Sequence, residues 1–149
     1  MFIPDNNSLH WLLEHWQEID NETTRQAVLM MMHENYQARI PNTTWMNALL
    51  NGIHCEKNPL IASTLTNYLS SPLQETSSVE RDKIENELYK LSHSHPIPSC
   101  RIQLLRLLIT EAASPTMIQC LYSLWETERV QQLNERDYTT LAYELALRI

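Results

Sequence analysis

The segment His33-Glu34-Asn35-Tyr36-Gln37 comes within one imidazole of a zinc-hydrolase site. Such a site needs H-E-x-x-H, because histidines at i and i+4 share a helix face and converge on one metal while the glutamate acts as general base. Gln37 stands where the second imidazole is required, so His33 and Glu34 read as the polar face of a helix. His10 and His15 are five residues apart, about 140° around a helix, and do not chelate one ion. His93 and His95, in Ser-His-Ser-His-Pro, read as solvated or capping loop residues. Glu80, Asp82, Glu85 and Glu87 read as a solvated helix face, without an acid–base pair that spacing alone could nominate. The expected set of catalytic, cofactor-binding and metal-ligating residues in this chain is therefore none.

Composition narrows the classes further. The 149 residues suffice for one domain with a real core, and 43% hydrophobic residues supply it. Residues 1–149 are accordingly expected to form a single all-helical domain. The single glycine, Gly52, argues against phosphate-cradling loops, dinucleotide turns and primed hairpin turns, all of which use positive φ. A formal charge of -7, with no basic stripe, opposes nucleic-acid binding. Cys55, Cys100 and Cys120 are odd in number and widely spaced, which reads as buried thiols rather than a disulfide framework or metal site. No apolar run approaches the roughly 20 residues of a membrane span, and the N-terminus lacks the pattern of a secretory signal. Membrane insertion by this segment is not expected, and the sequence assigns no compartment.

These residues would be positioned by helices. Apolar residues recur with helical period at Leu9, Leu12, Leu13 and Trp16; at Val28, Met31, Met32 and Tyr36; at Trp45, Ala48 and Leu49; and at Ile61, Leu65, Tyr68 and Leu69. Ile84, Leu88 and Leu91 mark a fifth stripe, and Ile102, Leu105 and Ile109 a sixth that is apolar on most sides. Ile118, Leu121, Tyr122 and Trp125, then Tyr138, Leu141, Ala142 and Leu145, complete the series. The run Leu29 to Met32 reads as core packing of a central helix. Pro41, Pro59, Pro72, Pro96, Pro98 and Pro115 fall between the stripes, where a fixed φ and a missing N–H are tolerated or start a helix. Ser114 reads as an N-cap, Ser77 with Glu80 as a capping box, and Asn134 with Asp137 as a looser one.

Helix starts are expected near residues 7, 22, 43, 58, 78, 98, 115 and 135. Taken in pairs, the units recur about every 36 residues, in the range of helical-hairpin repeats. The expected fold is all-α: about eight helices stacked as hairpins in a HEAT- or armadillo-like α-superhelix, with an irregular bundle as the alternative.

Several segments resemble, in order, the C-terminal helical domain of the aminopeptidase N-like zinc metallopeptidases. Asp20 to Ala27 followed by His33 to Tyr36 is similar to the passage from an acidic turn into a helix ending in a Tyr-Glu-Asn-Met type motif. Pro41 to Leu50 resembles a short helix closing on leucines, and Asn67-Tyr68-Leu69 a Tyr-Leu-Gln. Leu121-Tyr122-Ser123-Leu124-Trp125 resembles Leu-Tyr-x-Ile-Trp, and Leu133 to Arg148 resembles the closing Leu-Ser-Glu-x-Asp-Tyr-Thr-x-Leu-Ala-Leu-Glu-Leu-Ala-Leu-Arg. The family's zinc-binding H-E-x-x-H and its G-x-M-E-N substrate loop have no counterpart here.

The resemblance implies a non-catalytic C-terminal piece of a larger enzyme. Such a domain walls the active-site chamber, limits access to peptide substrates, and packs against a catalytic domain of the same polypeptide. Zinc is then expected only in that catalytic domain of the parent. The alternative, from a different class, is a free-standing helical-repeat adaptor that binds a protein partner.

Overall fold

A computed structural model describes residues 5–127 and 133–148. In chain order the helices are α1 (Asn6–His15), a 3-10 turn (Trp16–Glu18), α2 (Glu22–Arg39), α3 (Asn42–Cys55), α4 (Pro59–Tyr68), α5 (Ser70–Gln74), α6 (Ser78–Ser94), α7 (Pro98–Glu111), α8 (Pro115–Thr127) and α9 (Glu135–Arg148). The described residues form no strand, and the fold is all-α. The expected hairpins are all present: α1 packs on α2, α3 on α4, α6 on α7, and α8 on α9. Two short elements were not anticipated. The 3-10 turn ends α1, and α5 absorbs Pro72, which is buried inside a helix rather than lying between stripes.

The helix starts follow from local chemistry. Asp5, Asn21 and Asn58 each accept a backbone N–H of the first turn, at Ser8 (2.7 Å), Thr24 (2.9 Å) and Leu60 (2.9 Å). Pro59 and Pro98 stand at the first positions of α4 and α7, where an N–H would go unused. Ser114 Oγ accepts from Met117 N at 3.2 Å, as an N-cap should. Asn134 and Asp137 form a reciprocal box, with Asp137 N donating to Asn134 Oδ1 (2.9 Å) and Asn134 N to Asp137 Oδ2 (3.1 Å). Ser77 is the N-cap of α6 by position, but its side chain makes no capping bond, so the expected box with Glu80 does not form.

The chain divides into two compact units, Met1–Glu75 and Thr76–Ile149. In the first, Trp16 is buried, as are Leu29 and Met32 of α2, Trp45, Met46, Leu49 and Ile53 of α3, and Ile61 and Leu65 of α4. Gly52 permits this arrangement. A Cβ there would lie 2.7 Å from Trp16 Cζ2 and 3.1 Å from Leu65 Cδ2, inside van der Waals contact with the indole. The methionine run divides its roles: Met32 is core, Met31 is half-buried and Met30 is exposed.

In the second unit the core comprises Leu88 and Leu91 of α6, Leu104, Leu105, Leu108 and Ile109 of α7, Met117 and Leu121 of α8, and Leu141 and Leu145 of α9. Each such side chain contributes about 1.5–3 kcal/mol relative to exposure. The α8 stripe departs from expectation at its last member, since Trp125 remains 37% exposed. A second departure is Glu85, expected on a solvated face and found completely buried among these apolar residues.

Candidate functional site

His33 is the residue closest to metal chemistry in the sequence, and α2 places it in an aromatic stack instead. Its ring lies 3.7 Å from that of Tyr68 with the planes 1° apart, beside Tyr36 and Trp45, whose centroids are 5.7 Å apart. Its Nδ1 is buried and makes no hydrogen bond among the described residues. Removal from water lowers the His33 pKa, opposed by the negative charge of Glu34. The same burial raises the Tyr68 phenol, and Glu34 adds to the effect. Tyr36 closes the cluster with a 2.6 Å hydrogen bond between its hydroxyl and Ser71 Oγ.

The other histidines take local roles. His15 pairs with Glu18 at 3.0 Å and stacks on Trp11 at 4.7 Å. His95 is buried and its Nδ1 accepts from Ile97 N at 3.1 Å, while His93 Nδ1 sits 2.9 Å from Tyr89 O. Structure thus turns His95 into a cap and leaves His93 on the surface of α6. Cys100 is buried as expected, but Cys120 is half-buried and Cys55 is exposed. The Tyr89 hydroxyl is pushed up to about 12 by burial, reinforced by its hydrogen bond to Cys120. Among the described residues no group of three or more His, Cys, Asp or Glu is placed to hold a metal ion.

Buried charge is instead spent on loops. In the first unit Arg25 forks onto Glu56, with Nε to Oε2 at 3.1 Å and Nη2 to Oε1 at 2.8 Å. Glu56 Oε1 also accepts the backbone N–H groups of Lys57 (3.2 Å) and Asn58 (3.0 Å), fixing the entry to α4, while Arg25 Nη1 donates to Ile19 O at 2.9 Å. In the second unit Arg81 Nε donates to Glu85 Oε2 at 3.0 Å, and its Nη2 donates to Glu111 O. Glu85 takes the N–H groups of Ala113 (3.1 Å) and Ser114 (3.2 Å), fixing the entry to α8. Both units therefore use one buried Arg–carboxylate pair to hold the loop before a helix. An i, i+4 Arg81–Glu85 pair directly beside the apolar positions of α6 is the one signal that could have exposed this role. For Glu56 periodicity offers none, because it follows the last turn of α3.

Two surface features have the form of binding sites. In the second unit α8 and α9 enclose an apolar groove of about 260 Å3 lined by Tyr122, Trp125, Ala142, Leu145 and Ala146. Exposed Tyr143 and Leu147 continue the apolar surface around α9. In the first unit α1 and α3 flank a groove of about 520 Å3 whose lining is mixed, with Leu13 and Ala48 among its walls together with Glu14, Gln17, Asn47 and Asn51. Of the α9 stripe, Tyr138 and Ala142 are only half-buried, whereas Leu141 and Leu145 are buried.

Comparison with protein-family models, curated proteins and solved structures finds no match to this chain.

Proposed function

We propose that this chain is a non-catalytic helical domain that works by presenting its surface to another protein, and that this protein is the catalytic part of a zinc aminopeptidase. In that role it packs against the catalytic domain of the same polypeptide and walls the chamber through which peptide substrates enter. The zinc belongs to the catalytic domain. The ordered resemblance ending at Leu133 to Arg148 supports the choice of parent. The observation that carries the binding role is the two-sided construction of α9, which buries Leu141 and Leu145 within its own unit yet leaves Tyr143, Leu147 and the Trp125 groove exposed.

The coding sequence upstream of Met1 tests the parent. An in-frame H-E-x-x-H with a downstream glutamate is the expected result, and an in-frame stop codon directly before Met1 would overturn it. Metal analysis of the isolated chain should return far less than one zinc per chain; stoichiometric zinc would contradict a non-catalytic role. The same exposed strip would serve a free-standing adaptor, the reading that stands if the upstream frame is closed.

A further inference from the structure

The groove between α1 and α3 carries a chemistry of its own, on a different unit from the apolar strip of α9. Asn47 and Asn51 lie on one face of α3 and are exposed at the groove. Neither side-chain amide makes a hydrogen bond to another described residue. A primary amide offers a donor and an acceptor side by side, the complement of the C=O and N–H that one residue of an extended chain turns to the same edge. Four residues of helix advance about 6 Å, and two residues of extended chain advance about 6.6 Å. Asn47 and Asn51 are thus spaced to meet every second residue of a strand laid along α3, in a groove that Gln17 also lines.

Charge selects among such strands. The formal charge among the groove's described lining residues is that of Glu14, whose side chain is 78% exposed. Residues 1–75 hold eight of the chain's acidic residues against three basic ones. Of those three, Arg25 is paired with Glu56, Arg39 is hydrogen-bonded to Asn6 at 2.8 Å, and Lys57 is exposed two residues past Cys55 at the groove's end. With eight acidic against three basic residues the unit is net negative, and Glu14, 3.9 Å from His15, puts a carboxylate at the groove, so lysine- and arginine-bearing chains are favoured over acidic ones.

We propose that the α1/α3 groove binds an extended, lysine- or arginine-bearing segment of a partner protein, held through its main chain by Asn47 and Asn51 and steered by Glu14. The span from Asn47 to Cys55 accommodates about four extended residues. The inference holds for either parent of the chain, since it does not use α8 or α9.

The test is fluorescence anisotropy of the full chain with a labelled heptapeptide of alternating threonine and lysine. Saturable binding is expected, weakened about tenfold or more by Asn47→Ala with Asn51→Ala, a loss equivalent to two unmade hydrogen bonds. Glu14→Gln should weaken binding less and flatten its salt dependence. Methylating every peptide nitrogen should abolish binding, and saturating peptide should slow alkylation of Cys55 at the groove's end. Both asparagines are exposed, and unchanged helicity and melting would confirm that the double variant folds. Binding that survives the asparagine changes and N-methylation would overturn the proposal, as would no binding at millimolar peptide or unhindered Cys55. None of these results bears on the parent enzyme, which the upstream frame decides.

Discussion

Glu85 shows how much one side chain's role depends on what lies across from it. Glu80, Asp82 and Glu87 share its helix and its chemistry, but only Glu85 is fully buried, where it meets Arg81 and two backbone N–H groups of the loop before α8. Removing one partner of a buried pair strands the other, and Glu85→Ala is expected to cost about 3–5 kcal/mol. Glu85→Gln keeps an acceptor oxygen and should cost less; urea unfolding followed by circular dichroism separates the two. His33 gives a second test at this scale. Its folded pKa lies below its unfolded value, so the unfolded chain binds the proton first, and stability should fall as pH drops from about 6.5 through the folded value. His33→Phe retains the stack on Tyr68 without titrating, so its urea midpoint should fall less than that of the native chain between pH 7.5 and 5. Equal slopes would show that His33 is not responsible.

Individual elements were the most legible part of this chain. Apolar spacing and prolines located the starts of α2, α6, α7, α8 and α9, because a cap and its first turn are local chemistry. Asn134→Ala removes the acceptor for Asp137 N and should lower stability by about 1 kcal/mol, seen as a reduced melting temperature. Burial raises the Asp137 carboxyl, yet hydrogen bonds from Arg106 and from the Asn134 backbone outweigh it and hold the group below its usual range. Its contribution is therefore present above the unfolded pKa and is lost as pH falls through the lower folded value. Gly52 is an element-scale exception, a poor helix former in the middle of α3. Alanine would gain up to about 1 kcal/mol in helix propensity, but its methyl would press on the buried ring of Trp16. Overpacking of about 1–3 kcal/mol should win, giving Gly52→Ala a lower urea midpoint and an altered near-ultraviolet tryptophan signal. The 3-10 turn and α5 escaped sequence reading because three to five residues are too few to display a period.

Across the whole molecule, charge and architecture lead to one further prediction. The acidic excess lies mainly in residues 1–75, and none of the basic residues forms a stripe for phosphates. Gel-shift titration with duplex DNA at low salt should show no complex; a salt-sensitive shift would refute this. What the sequence by itself determined was the all-α class, where most helices start, and the caps at Ser114 and at Asn134 with Asp137. Each is set by residues within a few positions of one another. Only the tertiary structure decided that Glu56 and Glu85 are buried loop anchors, that His33 is an aromatic stacking partner, and that Trp125 stays exposed at a groove. Burial depends on what a neighbouring helix supplies, and those neighbours are often some 30 residues away: Arg25 for Glu56, and the loop before α8 for Glu85. Periodicity reports which face of a helix is apolar, but the depth of cover over that face comes from packing.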